Sequence, residues 1–574
     1  MPRPTRGADP GAGRGQPCAR AALVSSAALT VSGPHTSALA LFEAAAERRP
    51  AAPAIHYFDT TLSYGELDRM AATLAASLTE LGLDPGDRVA LYLQNVPQFV
   101  IAQCAVWKAG GVVVPLNPML KESELSYHLN DAGARVLICL ESLYERTARH
   151  VVPQTALERV VTTSELDCLP PGAPVPPLLA ESTKLRFRET HDLVELCRSP
   201  RARAAPRRPR GEDLAFLTYT SGTTGTAKGA MNSHANVVHN ARVYQSWMQL
   251  GPDDVILGVA PLFHITGMIG HLAVAAQAEI PVILFYRFDV AEALRLVERW
   301  RATFTVGAIT VFIAMASHPD VARRNLTSLR KVWSGGAPVA PAVVGRFREV
   351  TGAYIHNIYG MTETTSPSHA VPLGVDAPVD PATGALAIGV PVPGAEARIV
   401  DLESGTRELP PGELGEIVVK GPMVVAGYWG KPEETAYAIR NGWLHTGDVG
   451  KRDASGWFYL VDRKKDLIVA SGYKVWPREV EDVLYQHPGI REAAVVGIPD
   501  PYRGETVKAF VALKEGFEGT VTGNDLIGFC RERLAAYKYP REVEIVDEVP
   551  KTPSGKFLRR MLRAEGPGSD PSRP

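Results

Sequence analysis

The sequence has few features of a disulfide-bonded, membrane-spanning or nucleic-acid-binding protein. Its 574 residues include six cysteines, which are scattered and form no CxxC pair, so we predict neither a disulfide scaffold nor a zinc module. No apolar run reaches the roughly 18 residues of a membrane helix. The formal net charge of -1 gives no general attraction for nucleic acid or anionic membranes. We therefore expect a cytoplasmic protein with no nucleic-acid partner and no transmembrane segment; oligomerisation stays open.

The chain is too long for a single hydrophobic core. Cores stop growing at roughly 250–300 residues, so at least two domains are expected. Residues 1–35 are rich in Arg, Pro and Gly before a short apolar stretch. We expect a disordered tail there, with a signal peptide as the alternative. Residues 564–574 are expected to be a second disordered tail.

Helices and short apolar strands alternate along the N-terminal part of the chain. Ser63 and Glu66 form a capping box before a helix predicted over residues 64–81. Further elements are predicted over residues 88–93 (strand), 97–109 (helix), 111–115 (strand) and 135–140 (strand). Continuously apolar strands of this kind are typical of buried, mostly parallel sheets in α/β proteins.

The amino-acid composition changes near Arg463. Downstream, helices are predicted over residues 478–486 and 525–534, and strands over 493–497 and 507–513. About 100 residues remain there, enough for a small α+β domain. The Arg- and Pro-rich residues 198–210 are interpreted as a solvated surface loop.

The strongest local motif is YTSGTTGTAKG, at residues 219–229, after an apolar stretch that suits a strand. Its glycines let the backbone approach a ligand closely. Its hydroxyl groups can donate hydrogen bonds, and Lys228 adds a positive charge, so the loop suits a polyphosphate. The spacing is not GxxxxGK[ST], which disfavours a P-loop NTPase. A polar loop without a ligand is the alternative interpretation.

Three further segments contain residues suited to a nucleotide. NIYGMTET includes Glu363, whose carboxylate could bind magnesium. The same segment contains Tyr359 and Gly360, an aromatic ring and a glycine that can lie along a purine. SGGAP, at residues 334–338, predicts a tight turn. GWLHTGDVG places Asp448 between glycines, where a carboxylate can accept hydrogen bonds from a ribose diol. Taken singly, each segment also suits an ordinary turn or cap.

The combination and the order of the motifs carry more weight than any one of them. They are, in order, YTSGTTGTAKG, PLFHITG, SGGAP, YGMTE, GWLHTGD, DRKKDLI and PKTPSGKFLR. The chain thereby resembles the adenylate-forming (AMP-binding) superfamily, in its acyl-CoA synthetase branch, and is most like bacterial medium- and long-chain fatty-acid–CoA ligases. The resemblance extends from about residue 37 to residue 562.

The resemblance implies an α/β fold with two domains. A large, multi-layered N-terminal domain with mostly parallel sheets would cover residues 36–463. A small, mobile α+β C-terminal domain would cover residues 464–563 and rotate about a hinge near Lys465.

The resemblance also implies roles for individual residues. Thr220 and Glu363 would hold Mg²⁺, Thr362 would contact the α-phosphate, and Lys556 would contact the acid and the α-phosphate. Gly472 would help form the pantetheine tunnel. His264 would border the acid pocket and the thiol entrance, with plain packing as the alternative. The ATP phosphates would be contacted by Thr220, Ser221, Gly222, Thr223, Thr224, Gly225 and Lys228. The adenine would be contacted by Gly335, Gly336, Ala337, Tyr359 and Gly360. The ribose would be contacted by Asp448 and Arg463.

The implied reaction joins a carboxylic acid to coenzyme A in two steps. The carboxylate attacks the α-phosphorus of ATP and forms an acyl-AMP, and the thiol then displaces AMP. ATP, Mg²⁺ and CoA are therefore the expected ligands, and positioning with charge stabilisation would do most of the work. No G-x-S-x-G or Cys–His signature indicates a protein nucleophile.

The choice of acid rests on the predicted pocket. PLFHITG contains no acidic residue to pair with an α-ammonium group, which disfavours amino acids. The other candidate pocket residues are mainly apolar and favour a fatty or aromatic acid: Met268, Ile309, Val311, Trp333, Gly360 and Met361. We predict a fatty acid. The alternatives are an aryl or other carboxylate, an acyl-AMP ligase that loads a carrier protein, and a nucleotide-binding regulator.

Overall fold

The computed structural model describes residues 33, 35–198, 207–220, 227–337, 339–463, 466, 468–470, 473–500, 504–551, 557 and 559–564. Within these ranges the chain folds into a large part built on three sheets and a smaller C-terminal part built on a fourth. The predicted α/β architecture, with its large N-terminal and small C-terminal domains, is confirmed.

The first sheet is parallel except at one edge, where an antiparallel hairpin ends it. From edge to edge its strands are His191–Asp192, Arg159–Thr163, Ala134–Leu140, Arg88–Tyr92, Val112–Pro115, Leu214–Thr220 and Lys228–Ser233. The predicted strands over residues 88–93, 111–115 and 135–140 lie at its centre, where both faces are covered.

The second sheet is parallel in its middle and antiparallel at both ends. Its strands are, in spatial order, Val390–Pro391, Ser366–Ala370, Ile355–Met361, Lys331–Ser334, Phe304–Gly307, Ile256–Leu257, Val282–Leu284, Pro53–Tyr57 and Thr60–Ser63. The SGGAP and YGMTE motifs therefore follow or end neighbouring parallel strands, which brings them side by side.

The third and fourth sheets are mainly antiparallel. The third contains Glu396–Val400, Gly415–Lys420, Ile439–Arg440, Trp443–Arg452 and Phe458–Arg463. The fourth forms the C-terminal part and contains Ile468–Ala470, Tyr473–Val475, Ile490–Asp500, Gly504–Leu513 and Glu542–Ile545.

Helices cover the sheets and separate them. In the large part they are Ala38–Arg48, Tyr64–Glu80, Pro97–Lys108, Glu122–Ala132, Glu141–Leu143, Tyr144–Ala148, Arg149–Val151, Val152–Gln154, Pro177–Leu179, Leu193–Arg198, His234–Trp247, Ile265–Gly267, Met268–Ala273, Val274–Ala278, Val290–Trp300, Ile309–Ser317, Val321–Arg323, Pro341–Thr351, Thr362–Thr364 and Pro432–Ala438. In the small part they are Pro477–Leu484, Gly523–Arg531 and Arg559–Ala564. Among the described residues, no helix has both the length and the apolar character that crossing a membrane requires.

Local sequence accounts for several of these elements. The Ser63 hydroxyl accepts a hydrogen bond from Glu66 N while the Glu66 carboxylate accepts one from Ser63 N, so the predicted capping box is confirmed. In the helix Tyr64–Glu80 the leucines at positions 67, 74 and 78 are buried against the core, as helical spacing requires.

The two parts have separate cores and meet near Arg463. Val480, Leu484, Val495 and Val511 belong to the core of the small part. Across the boundary, the Arg478 guanidinium donates to Val339 O at 3.4 Å and Arg478 N donates to Asp462 Oδ2 at 3.1 Å.

Candidate active site

A cavity of about 1100 Å³ opens where the carboxyl ends of strands from the first two sheets face each other. Ligands of open α/β sheets bind at this edge. The wall comes from segments that follow the strands, and it includes Asn95, Asn117, Lys121, Pro261, His264, Arg287, Ala308, Val311, Gly335 and Gly336. This volume lies at the upper end of the range for small-molecule sites.

The predicted phosphate loop lies at the end of a hairpin formed by Leu214–Thr220 and Lys228–Ser233, which we call the phosphate hairpin. Thr220 and Lys228 are paired across it, and the Thr220 hydroxyl donates to Lys228 O at 3.5 Å. Lys228 Nζ lies 5.4 Å from the centre of the Tyr428 ring, in a cation–π contact. Ser221, Gly222, Thr223, Thr224 and Gly225 lie outside the described residues.

The candidate magnesium ligand Glu363 lies in a short helical turn after the strand Ile355–Met361. Its carboxylate is buried, and Oε1 accepts a hydrogen bond of 2.7 Å from the Tyr428 hydroxyl. Burial and the Glu363 charge raise the pKa of Tyr428 well above its usual value, so the hydroxyl stays protonated and donates. The bond engages one oxygen and leaves Oε2 for a hard cation, so the Glu363 carboxylate suits Mg²⁺.

Two buried asparagines hold the turn that carries Glu363, one from the phosphate hairpin and one from the helix His234–Trp247 that follows it. The Asn232 amide, on the hairpin, donates to Thr362 O and to Thr365 Oγ1, both at 3.0 Å. The Asn240 amide donates to Thr364 O and Thr365 O at 3.0 and 2.6 Å. Thr365 has φ of 50°, a left-handed conformation that is unfavourable without such support. The phosphate hairpin, with Thr220 and Lys228 at its end, is thus joined to the turn that contains Thr362 and Glu363.

Glycines form the predicted adenine wall because side chains would not fit there. A Cβ at Gly335 would lie 2.5 Å from Ile358 O, and one at Gly360 would lie 1.8 Å from Ser366 O. Gly336 has φ of 78°, which glycine adopts without strain. Gly335 and Gly336 line the cavity, and Ala337 follows them.

The predicted adenine and ribose residues are directly connected. The Tyr359 hydroxyl donates to Asp448 Oδ2 at 2.7 Å, and both residues are buried. Asp448 is paired with Arg463 across two antiparallel strands, so the two residues lie opposite each other in the third sheet. The hydrogen bond orients the carboxylate next to the glycine wall, where a nucleoside can contact both.

His264 lines the cavity at the N-terminus of the helix Ile265–Gly267. Its Nδ1 accepts a hydrogen bond from Thr266 N at 3.3 Å, which fixes the ring. The loop before it is held by Asn95, whose amide donates to Ala260 O at 3.0 Å and whose Oδ1 accepts from Leu262 N at 2.9 Å.

Other predicted site residues are placed differently or lie outside the described parts. Of the candidate pocket residues, Val311 lines the cavity. Met268 and Trp333 are fully buried in the core, and Ile309 is largely buried there, rather than on the cavity wall. Gly360 and Met361 lie beside the Glu363 turn. Lys465, Gly472 and Lys556 lie outside the described residues.

Sequence reasoning missed Asn95, Asn232, Asn240 and Tyr428. The asparagines are buried within the large domain, and a buried amide must find hydrogen-bond partners. Each asparagine has a polar neighbour in the sequence, so no apolar stretch marked it for burial. Tyr428 lies in no motif that we singled out, and nothing near it in sequence indicates Glu363 as its partner.

Two family models match the chain. The model of the AMP-binding enzyme matches residues 42–429, and that of the AMP-binding enzyme C-terminal domain matches residues 479–556.

Named relatives cover nearly the whole chain. The long-chain-fatty-acid–CoA ligase of Bacillus subtilis (strain 168) is 38% identical over 93% of this chain and 95% of that protein. The feruloyl-CoA synthase of an Amycolatopsis species is 37% identical over 90% of this chain and 96% of that protein. The crystal structure of an anthranilate CoA ligase with anthranoyl-AMP superimposes with a TM-score of 0.82 at 28% identity, covering 92% of this chain and 96% of that one.

Proposed function

The chain belongs to the AMP-binding enzyme family and is an AMP-forming acid–CoA ligase, and from that premise we propose that its acid is a fatty acid bound in the large cavity. Two observations support the proposal: the cavity has an apolar lining with the glycine wall beside it, and the phosphate hairpin is joined to the turn that carries Glu363. Tyr359 and Asp448 lie next to that wall. This arrangement suits one ATP with its α-phosphorus near the acid.

In the first step a carboxylate oxygen attacks the α-phosphorus of ATP and pyrophosphate leaves, which gives the acyl-AMP. Three anionic groups meet, so the barrier is lowered mainly by positioning and by charge compensation. We assign Lys228, Thr220 and the loop residues Ser221 to Gly225 to the triphosphate. Thr362 and Lys556 are assigned to the α-phosphate. Mg²⁺, held by Glu363 and Thr220, would neutralise phosphate charge.

The nucleoside is oriented by the residues on the other side. The ring of Tyr359 and the backbone at residues 335–337 and 360 provide flat surfaces for adenine. We assign the Asp448 carboxylate, held by Tyr359, and Arg463 to the ribose hydroxyls. These contacts set the position of the α-phosphorus relative to the acid.

The acid occupies the apolar side of the cavity. Val259, Pro261, Phe263, Phe288 and Val311 line it, and they suit an alkyl chain. Glu122, at the rim, is the one carboxylate among the described lining residues. His264 borders the point at which the acyl carbonyl and the thiol meet.

In the second step the CoA sulfur attacks the acyl carbon and AMP leaves. The cations Lys121, Arg146 and Arg287 line the cavity and can compensate the phosphate charge of CoA. We infer that residues 464–563 rotate about Lys465 between the steps, bringing Gly472 to the thiol path. Arg478, which contacts Val339 O, would then change partners.

We also infer a reducing, cytoplasmic setting. The five cysteines in the described part of the chain are free thiols. Burial raises the pKa of Cys197 and of Cys530 to about 12, so these thiols are inert.

A pyrophosphate-release screen tests the proposal. The purified enzyme is supplied with ATP, Mg²⁺ and acids of increasing chain length, with benzoate, ferulate and succinate for comparison, each with and without CoA. We expect the highest kcat/KM with a medium- or long-chain fatty acid, and free acyl-CoA as product. A preference for an aromatic acid, or release of acyl-AMP without CoA-thioester, would contradict it.

A further inference from the structure

Both ends of the phosphate loop are attached to the same helix, Glu122–Ala132. The Tyr219 hydroxyl, just before Thr220, donates to Asp131 Oδ2 at 2.7 Å. On the far side of the loop, Ala227 O accepts a hydrogen bond of 2.8 Å from the Tyr127 hydroxyl. Tyr127 and Asp131 are four residues apart and therefore lie on one face of the helix.

The carboxylate of Asp131 also reaches a third segment, residues 427–431. Lys431 Nζ lies 3.1 Å from Asp131 Oδ1. This segment pairs with the phosphate hairpin, because Trp429 N donates to Gly229 O at 2.8 Å and Met231 N donates to Gly427 O at 3.0 Å. It also carries Tyr428, the partner of Glu363. Asp131 therefore connects the helix, the hairpin and the segment next to the candidate magnesium ligand.

These bonds are sheltered from solvent. The side chain of Asp131 is 12% exposed, and the ring of His128 packs against that of Tyr219 with 4.5 Å between centres. Burial and the Asp131 charge raise the pKa of Tyr219 well above its usual value, so its hydroxyl remains a donor. Hydrogen bonds to a charged, sheltered acceptor are stronger than those between neutral groups.

We propose that Asp131 and Tyr127 are positioning residues that hold the two ends of the phosphate loop and so set the affinity for ATP. The proposal rests on the function proposed for that loop. Its six central residues include two glycines, and glycine is the residue type that costs the most conformational entropy to order. Hydrogen bonds that fix Tyr219 and Ala227 lower that cost before ATP binds, and preorganisation of this kind increases affinity.

The first test is the kinetics of Asp131→Asn, which keeps the shape of the side chain and removes its charge. We expect KM for ATP to rise about tenfold, the effect of losing roughly 1.4 kcal/mol. KM for CoA and the rate of thioester formation from supplied acyl-AMP should not change. Asp253→Asn, on the exposed surface, is the matched control. An equal loss for ATP, CoA and acyl-AMP would overturn the proposal, because it would indicate general damage.

A double-mutant cycle tests whether Asp131 acts through Tyr219. Tyr219→Phe should raise KM for ATP as Asp131→Asn does, and the double variant should be little worse than either single one. Additive effects would overturn the proposed connection. Lys431→Gln, which removes only the ion pair, and Tyr127→Phe, which frees the other end of the loop, provide further variants if Asp131→Asn folds poorly.

Hydrogen exchange provides a readout that needs no turnover. Amides in residues 219–229 should exchange faster in Asp131→Asn and in Tyr127→Phe, while those of the helix Tyr64–Glu80 stay unchanged. Unchanged exchange in the loop would refute the positioning role even if the enzyme is active. Absence of acid-dependent pyrophosphate release in the wild type would instead refute the proposed function, and the exchange result would still decide the role of Asp131.

Discussion

The hydrogen bond between Tyr359 and Asp448 provides a test of the proposed nucleoside site, because a single substitution removes only the hydroxyl oxygen that donates the bond. Tyr359→Phe keeps the ring that we assign to adenine and deletes the hydroxyl that donates to Asp448 Oδ2 at 2.7 Å. Tyr359 and Asp448 are 8% and 5% exposed, so water replaces the lost donor poorly. A hydrogen bond to a charged group contributes about 1.5–3 kcal/mol, and we therefore expect KM for ATP to rise by roughly tenfold or more.

The assay compares ATP with 2′-deoxyATP in the pyrophosphate-releasing step. If Tyr359 orients Asp448 toward the ribose, the wild type should prefer ATP, and that preference should shrink in Tyr359→Phe. Tyr354→Phe removes a hydroxyl that accepts from Ala377 N, outside the site, and should leave the preference unchanged. The same ATP-to-deoxyATP ratio in the wild type and in Tyr359→Phe would refute the assignment of Asp448 to the ribose.

Three further results are expected. Lys556→Ala should slow acyl-AMP formation by orders of magnitude and spare thioester formation from supplied acyl-AMP; equal losses in the two half-reactions would contradict its role. Gly360→Ala should lower the free energy of unfolding by about 3 kcal/mol or more in urea titrations, because its Cβ would lie 1.8 Å from Ser366 O. Gly345→Ala, in an open helical position, should be neutral or stabilising, and equal effects would count against the packing argument. Stability should fall as pH drops from 6.5 toward 4, because burial lowers the pKa of His234, His271 and His356 to about 4 and the unfolded chain then binds more protons. Glu141, whose pKa burial raises to about 7, acts in the opposite direction, so Glu141→Gln should steepen the dependence; a urea midpoint independent of pH would contradict it.

Elements defined by local signals were predictable from the sequence. The helix Tyr64–Glu80 begins where the capping box places it, and the central strands of the first sheet match the apolar runs within one or two residues. By contrast, the strand His191–Asp192 was not predicted. It has two residues, too few to show a period.

The sequence motifs of the candidate site could be listed from the sequence, but the hydrogen bonds that connect its residues could not be predicted. Its hydrogen bonds join residues far apart in sequence: Tyr428 and Glu363 are separated by 65 positions, Asp131 and Tyr219 by 88, and Tyr359 and Asp448 by 89. Such pairs depend on how the sheets stack, and a single sequence contains no local record of that. Motif residues therefore indicate which ligand to expect, whereas the residues that hold them are seen only in the fold.

The most direct test of the account is isotope exchange between pyrophosphate and ATP in the absence of CoA. An enzyme that forms an acyl-AMP at this cavity must catalyse exchange that depends on the fatty acid and Mg²⁺ but does not require CoA. We expect that exchange, and we expect it to be lost in Lys556→Ala. Exchange that requires CoA, or ATP consumption that yields ADP and phosphate, would contradict the account.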